Sequence, residues 1–395
     1  MNDNRLITPE GTRDLLFEDC LARHRVEESL RAVFTARGFS EVITPALEFY
    51  DVFTPEDHAI PQEYMFKLTD RQGRLMAVKP DLTMPIARLS ATRLRDQPLP
   101  LRLYYNQSAY RVSPADSGHS NEVEQAGIEI IGAPGAKADL EALFLAIQAL
   151  RSCGLQNYRL EIGHIGIFNA LAARLAFTPR EKEAVRELIA AKNYPALSDR
   201  TAALSGGAAE ALGRLPALFG GEEVLAELTA LIDGPDIREP VEYLRSLLKD
   251  LNALGAEDCV SIDLGIVGRN EYYTGIVFQG YTEGVGDTVL TGGRYDTLLS
   301  DFGADFPAIG FGLDVDAAAR VIRQGMDFDL APDTLVYAES GFYAKGLSIA
   351  DEEASAGRKA EFSVYETMEE TLSYARQKGI RRLLIAGEEV REVIL

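Results

Sequence analysis

The residues best suited to small-molecule chemistry lie late in the chain. Glu271-Tyr272-Tyr273-Thr274-Gly275 leads to Gly292-Gly293-Arg294-Tyr295-Asp296, and then to Ala308-Ile309-Gly310-Phe311-Gly312-Leu313-Asp314. Tyrosines offer flat apolar walls with a polar tip. Paired glycines admit close approach of backbone or ligand. Aromatic packing and a chain bend would account for the same residues without a ligand. Upstream, Lys79-Pro80-Asp81-Leu82-Thr83 puts a carboxylate and a hydroxyl at a helix start. Asp81 and Thr83 either hold a ligand's ammonium group or only cap that helix. Arg111 either grips an anion or pairs with surface acid. Gln125 and Glu129 share one face of a strand, where they line a pocket or simply meet solvent. The late segment closes with Asp314-Val315-Asp316-Ala317-Ala318. Chemistry on a nucleoside triphosphate would want a cation there, and none is present.

Other chemistries find less support. No phosphate loop of the Walker type is present, and Gly310-Phe311-Gly312 lacks the third glycine of a dinucleotide fingerprint. Cys20, Cys153 and Cys259 are far apart, as are His24, His58, His119 and His164. Neither set has metal-ligand or disulfide-framework spacing, so no metal or cofactor is expected. The net charge of -21 argues against a nucleic-acid footprint, which needs clustered Lys and Arg. A polar N-terminus and the lack of any membrane-length apolar run lead us to expect a cytoplasmic protein with no membrane contact.

The elements that would position these residues follow from periodicity. Residues 14–37 read as an amphipathic helix with Gly38 at its end. Short strands are expected over 65–68 and 75–78, around the turn Asp70-Arg71-Gln72-Gly73, and a helix over 82–94. Segments 101–111 and 123–131 read as two long strands of an antiparallel hairpin with a wide polar loop. A helix over 137–153 precedes an Ala-, Leu-, Glu- and Arg-rich stretch, about 165–255, read as an all-helical insertion. Strands resume at 260–264, 275–281 and 288–290, with helices at 295–301 and 315–324. Residues 331–395 alternate strand and helix as a small α/β unit.

Taken in order, these patches resemble the class II aminoacyl-tRNA synthetases, and specifically the histidyl-tRNA synthetase family, over roughly residues 5–325. Thr8-Pro9-Glu10-Gly11-Thr12-Arg13-Asp14 looks like its opening motif. Residues 102–132, ending in Gly127-Ile128-Glu129-Ile130-Ile131-Gly132, look like its motif-2 hairpin. Glu271-Tyr272-Tyr273 looks like its histidine-reading segment, and residues 308–311 like the start of motif 3. The resemblance implies an α+β fold, a six- or seven-stranded antiparallel sheet flanked by helices, and a dimer. The domain would span 1–325, followed at 331–395 by a shortened anticodon-binding domain ending just past its third strand. Histidine would be held by Asp81, Thr83, Gln125, Glu129, Tyr272, Tyr273 and Tyr295, with Arg111 as a possible anion contact.

The departures bear on activity. The glutamate that follows the motif-2 arginine is Ser113 here, and the motif-3 arginine is Ala317. The arginine before the tyrosines is Gly268, with Arg269 displaced by one; in a strand that shift would turn its side chain to the other face. His119 and Asn121 stand where the motif-2 loop should be basic. Adenylation builds negative charge that positioned cations stabilise, so no ATP activation and no catalytic residue are expected.

A pocket kept for histidine without the adenylating cations is similar to the family of ATP phosphoribosyltransferase regulatory subunits. That resemblance implies a hetero-octamer with a short-form catalytic ATP phosphoribosyltransferase, which condenses ATP with phosphoribosyl pyrophosphate in the first step of histidine biosynthesis. It also implies feedback by histidine. The alternatives are a histidine–tRNA ligase and a free-standing histidine-binding protein. An anticodon-reading tail should be basic, yet residues 351–370 set seven carboxylates against Arg358 and Lys359, so no tRNA partner is expected.

Overall fold

The computed structural model describes residues 4–55, 58–113, 120–268, 272–326 and 328–395. The chain divides into two compact units, Met1–Met326 and Asp327–Leu395. In the first unit, helix α1 (Glu18–Ala36) buries Ala22, Val26, Leu30 and Phe34, one side chain per turn on one face. It stops at Gly38, whose φ of +76° suits a helix end. Strands β1 (Ser40–Glu41), β2 (Leu47–Phe49), β3 (Lys67–Thr69) and β4 (Leu75–Val78) follow, then helix α2 (Thr83–Thr92). The hairpin strands β5 (Leu101–Tyr110) and β6 (Glu122–Ile131) precede α3 (Ala136–Ser152) and β7 (Arg159–His164).

The insertion holds α4 (Ile165–Arg174), α5 (Pro179–Ala190), α6 (Tyr194–Ala202), α7 (Gly207–Arg214), α8 (Glu223–Leu231) and α9 (Pro235–Ala253). Its helix starts are written into the sequence: Thr178 and Glu181 form a capping box before α5, with Pro179 in the first turn. The insertion is not all-helical, because the two-residue strand β8 (Phe219–Gly220) joins the main sheet beside β9 (Val260–Asp263). Strands β10 (Ile276–Tyr281), β11 (Leu290–Arg294) and β12 (Ala308–Asp314) and helix α10 (Val315–Gly325) complete the unit.

Among the described residues the main sheet has nine strands, in the order β1-β5-β6-β12-β11-β10-β7-β9-β8. It is larger than the six or seven antiparallel strands expected, and the β1·β5 and β7·β9 pairs are parallel. Both outermost strands have only two residues. One face is apolar, with Phe34 of α1 meeting Tyr104 and Phe311 at ring separations of 5.9 and 6.0 Å. The other face carries the candidate site. Cross-strand register sets Tyr105, Gly127, Gly312, Thr291, Gln279 and Glu161 in one row across it. Side chains of paired residues point the same way.

The second unit contains β13 (Thr334–Ala338), α11 (Tyr343–Ser355), β14 (Ala360–Phe362), α12 (Met368–Lys378), β15 (Arg382–Ala386) and β16 (Val390–Ile394). β14, β13 and β15 are parallel, as strand–helix–strand connections require. β16 is a fourth strand, beyond the third at which the sequence reading ended. It pairs antiparallel with β15, and all its residues are exposed. Leu335, Ala375, Ile380, Leu383 and Ile385 form the core. Glu353 accepts hydrogen bonds from Arg358 Nε (2.5 Å), Arg382 Nη1 (2.5 Å) and Thr334 Oγ1 (3.2 Å).

Candidate functional site

The site is built where α2 packs on β6, β11 and β12, and there Glu129 and Asp81 lie buried in a hydrophobic cluster that includes Leu82, Leu103, Tyr105, Tyr272 and Tyr295. Asp81 caps the first turn of α2, its Oδ1 accepting the Met84 N–H at 2.8 Å. Its other oxygen faces Arg111 Nη2 at 3.9 Å. One oxygen thus serves the helix, the capping role, and the other faces a cation of the same chain. Burial raises the Asp81 pKa, and Arg111 and the α2 amides oppose that rise.

Glu129 stands at the centre, 1% exposed. Thr83 Oγ1 donates to its Oε1 at 3.0 Å, and Tyr295 donates to its Oε2. Burial pushes its pKa up to about 8; these two hydroxyls oppose the rise and Asp81 adds to it. Close approach explains Gly310, which pairs with Glu129 across β6 and β12. A Cβ there would lie 1.7 Å from Glu129 Oε2 and 2.4 Å from the Ile128 carbonyl oxygen. Glycine at that position is what lets the carboxylate lie against the sheet.

Tyr272, Tyr273 and Tyr295 come together. The Tyr272 ring meets Tyr273 edge-on at 4.9 Å and Tyr295 at 5.7 Å. Tyr273 lies over Gly293, where a Cβ would come within 2.6 Å of its ring. Burial, with Glu129 and Asp81 nearby, raises the pKa of all three hydroxyls, so they act as neutral donors. Gln125 lies over Gly312, one step further along β12. Arg111 is half exposed, and its Nε donates to the Pro80 carbonyl at 2.6 Å.

Two positions where the resemblance would place charged side chains, Ala317 and Ser113, carry none. Ala317 is buried in the first turn of α10, and its N–H donates to Asp314 Oδ1 at 2.7 Å. Ser113 N–H donates to Asn121 Oδ1 at 2.8 Å, and Asn121 Nδ2 donates to the Glu10 carbonyl at 2.9 Å. Asn121 therefore fastens the chain's opening segment. Gly268 has a φ of +72°, a backbone region that disfavours side chains. It lies in a loop. Arg269, Glu271 and His119 lie outside the described residues. Among the described residues, no group of His, Cys, Asp and Glu could hold a metal ion. No helix there is long and apolar enough to cross a membrane.

Two buried residues beside the site, Tyr105 and Lys79, have no role assigned from the sequence. Tyr105 is 2% exposed and sits in the same row as Gly127 and Gly312. Lys79 is buried, donating to Gln107 Oε1 at 2.6 Å and to the Thr44 carbonyl at 3.2 Å, and burial lowers its pKa. The alternation Leu103-Tyr105-Gln107 on β5 was the available signal for Tyr105.

A family model described as histidyl-tRNA synthetase matches residues 11–318. The ATP phosphoribosyltransferase regulatory subunit of Clostridium kluyveri is 38% identical over 387 residues, covering 96% of this chain and 99% of the relative. The protein of the same name from Bacillus cereus strain G9842 is 32% identical over 394 residues, covering 96% and 92%. Among solved structures, a Bacillus halodurans C protein described as an ATP phosphoribosyltransferase regulatory subunit/histidyl-tRNA synthetase superposes with a TM-score of 0.86. It is 28% identical and covers 98% of this chain and all of that one. The histidyl-tRNA synthetase of Nostoc sp. PCC 7120, at 19% identity and TM-score 0.78, covers 98% and 96% and shares the fold. The chain belongs to the histidyl-tRNA synthetase family of class II folds and, within it, to the ATP phosphoribosyltransferase regulatory subunits.

Proposed function

We propose that this chain binds histidine as an effector and confers histidine feedback on a short-form catalytic ATP phosphoribosyltransferase. The catalytic partner would join ATP to phosphoribosyl pyrophosphate, a glycosyl transfer that opens histidine biosynthesis, in a hetero-octamer with this subunit. The observation that carries the reading is a contrast. Asp81, Thr83, Glu129, Tyr272, Tyr273 and Tyr295 converge, while Ala317 and Ser113 stand where adenylation would need charged groups.

Histidine brings an ammonium group, a carboxylate and an imidazole. Either Asp81 or Glu129 meets the ammonium, and the other faces the ring. Tyr272, Tyr273 and Tyr295 enclose the imidazole, Thr83 and Gln125 add hydrogen bonds, and Arg111 takes the carboxylate. An arriving cation stabilises the Glu129 carboxylate, which burial otherwise keeps protonated up to about pH 8. By linkage, the catalytic substrates must alter histidine affinity by the factor by which histidine alters theirs.

Isothermal titration of the assembled complex with histidine tests the reading, and no binding at millimolar concentration would end it. Histidine-dependent ATP–pyrophosphate exchange should be undetectable, since adenylation lacks its charge-stabilising groups. Robust exchange would favour a histidine–tRNA ligase instead. Co-purification with the short catalytic chain, with the mass of the complex measured, addresses the octamer and sets aside a free-standing histidine-binding protein.

A further inference from the structure

The aromatic wall is carried by two segments, and both are fastened to the helical insertion. On β11, Tyr295 follows Arg294, whose side chain turns to the opposite face of the sheet. Arg294 is 6% exposed. Its Nε donates to Asp139 Oδ1 on α3 at 2.8 Å, and its Nη2 donates to the same oxygen. Its Nη1 reaches Asp296 Oδ1 at 2.9 Å, and further N–H groups reach the Ala133 and Gly135 carbonyls. The remaining oxygen of Asp139 accepts the Tyr243 hydroxyl at 2.5 Å, and Tyr243 belongs to α9, the last helix of the insertion.

The second segment, around Tyr272 and Tyr273, is held at both sides. Ile165 N–H, at the start of α4, donates to the Gly275 carbonyl at 3.0 Å. Arg186 Nη1, on α5, donates to the Gly268 carbonyl at 2.5 Å. The two segments are also tied together. Thr274 N–H donates to the Arg294 carbonyl at 2.8 Å, and Asp296 N–H donates to Thr274 Oγ1 at 3.0 Å.

A buried ion pair satisfied on every side has a narrow range of geometries, because any slippage leaves a charge without partners. Displacement of the Tyr295 backbone must therefore be followed by Asp139 and by Tyr243. Of the insertion's helices, α4 is tied to Gly275, α5 to Gly268 and α9, through Asp139, to Arg294. We propose that the helical insertion responds to occupancy of the aromatic site through the Arg294–Asp139–Tyr243 chain and the Arg186–Gly268 hydrogen bond. The inference rests on histidine being the occupant.

Hydrogen exchange of the full chain, with and without millimolar histidine, tests it. In the wild type, exchange should slow in β11 and in residues 272–275, and also in α5 and α9. Tyr243→Phe and Arg186→Gln remove the two side-chain hydrogen bonds without touching the pocket. In each variant the β11 response should persist while the α9 or α5 response falls to about a third or less; in the double variant both should fall together, leaving only what the Ile165–Gly275 backbone hydrogen bond transmits. A wild type in which only the pocket strands respond, or a double variant that responds like the wild type, would overturn the inference and leave the histidine reading standing. No response anywhere, β11 included, would bring down both.

Discussion

Two carboxylates, one in each unit, are held at opposite ends of the range open to an acid. Glu353 accepts hydrogen bonds from Arg358 and Arg382, which hold its pKa down to about 2. Glu129 is buried with only hydroxyl donors, and burial pushes its pKa up to about 8. Glu353 is neutralised by its own chain, and Glu129 is not. The first is a carboxylate held charged by two arginines; the second is a carboxyl group that burial holds in its protonated form. The two also differ in their pH dependence. Between its ordinary value of 4.5 and about 8, Glu129 keeps a proton when folded that the unfolded chain releases, so its contribution to stability falls as pH rises through that window. Glu353 releases its proton more readily when folded, so its contribution is present above 4.5 and is lost as pH falls toward 2.

Substitutions can break this contrast. The largest effect is expected from Gly310→Ala, whose Cβ would overlap the Glu129 carboxylate and the Ile128 carbonyl. Histidine binding by calorimetry should disappear, and stability in a denaturant titration should fall by about 3 kcal/mol or more. Glu129→Gln should weaken histidine binding about 100-fold, close to 3 kcal/mol, through loss of a charged partner. The same variant should melt higher than the wild type at pH 8, with the gain shrinking toward pH 5; an unchanged difference would mean that Glu129 is not protonated in the empty pocket. Arg111→Ala, at a half-exposed site, should weaken histidine binding about tenfold. An unaltered affinity would remove Arg111 from the list of ligand contacts. The smallest effect is expected from Glu353→Gln, which should lower the melting temperature of the second unit by a few degrees at pH 7, with the gap closing as pH falls toward 2.

Much of this architecture was legible because the patterns are local. The α1 stripe, the β5–β6 hairpin and the turn Asp70-Arg71-Gln72-Gly73 announce themselves by period or by turn chemistry, and Asp70 Oδ1 does accept the Gln72 and Arg74 N–H groups. β12 and most of β11 did not read as strands, because Gly292, Gly293, Gly310 and Gly312 have low strand propensity. Glycine is there because Phe278, Tyr273, Glu129 and Gln125 occupy the space that a side chain would need. Tight packing on both faces of the sheet thus hid these strands. Arg294 read as part of a ligand-facing motif, yet it is an internal anchor, since its partner Asp139 lies far away in sequence and on the other side of the sheet. The short strands β1 and β8 are too brief to leave a period.

Gly268 also limits what substitution can do here. A side chain at a φ of +72° costs on the order of 1 kcal/mol, and its carbonyl is already engaged by Arg186. An arginine at that position would need a change in backbone as well as in codon. At Ala317, an arginine would need space in a position that is closed. Charge cannot be added at these two places by point substitution alone: the loop and the helix start must move as well.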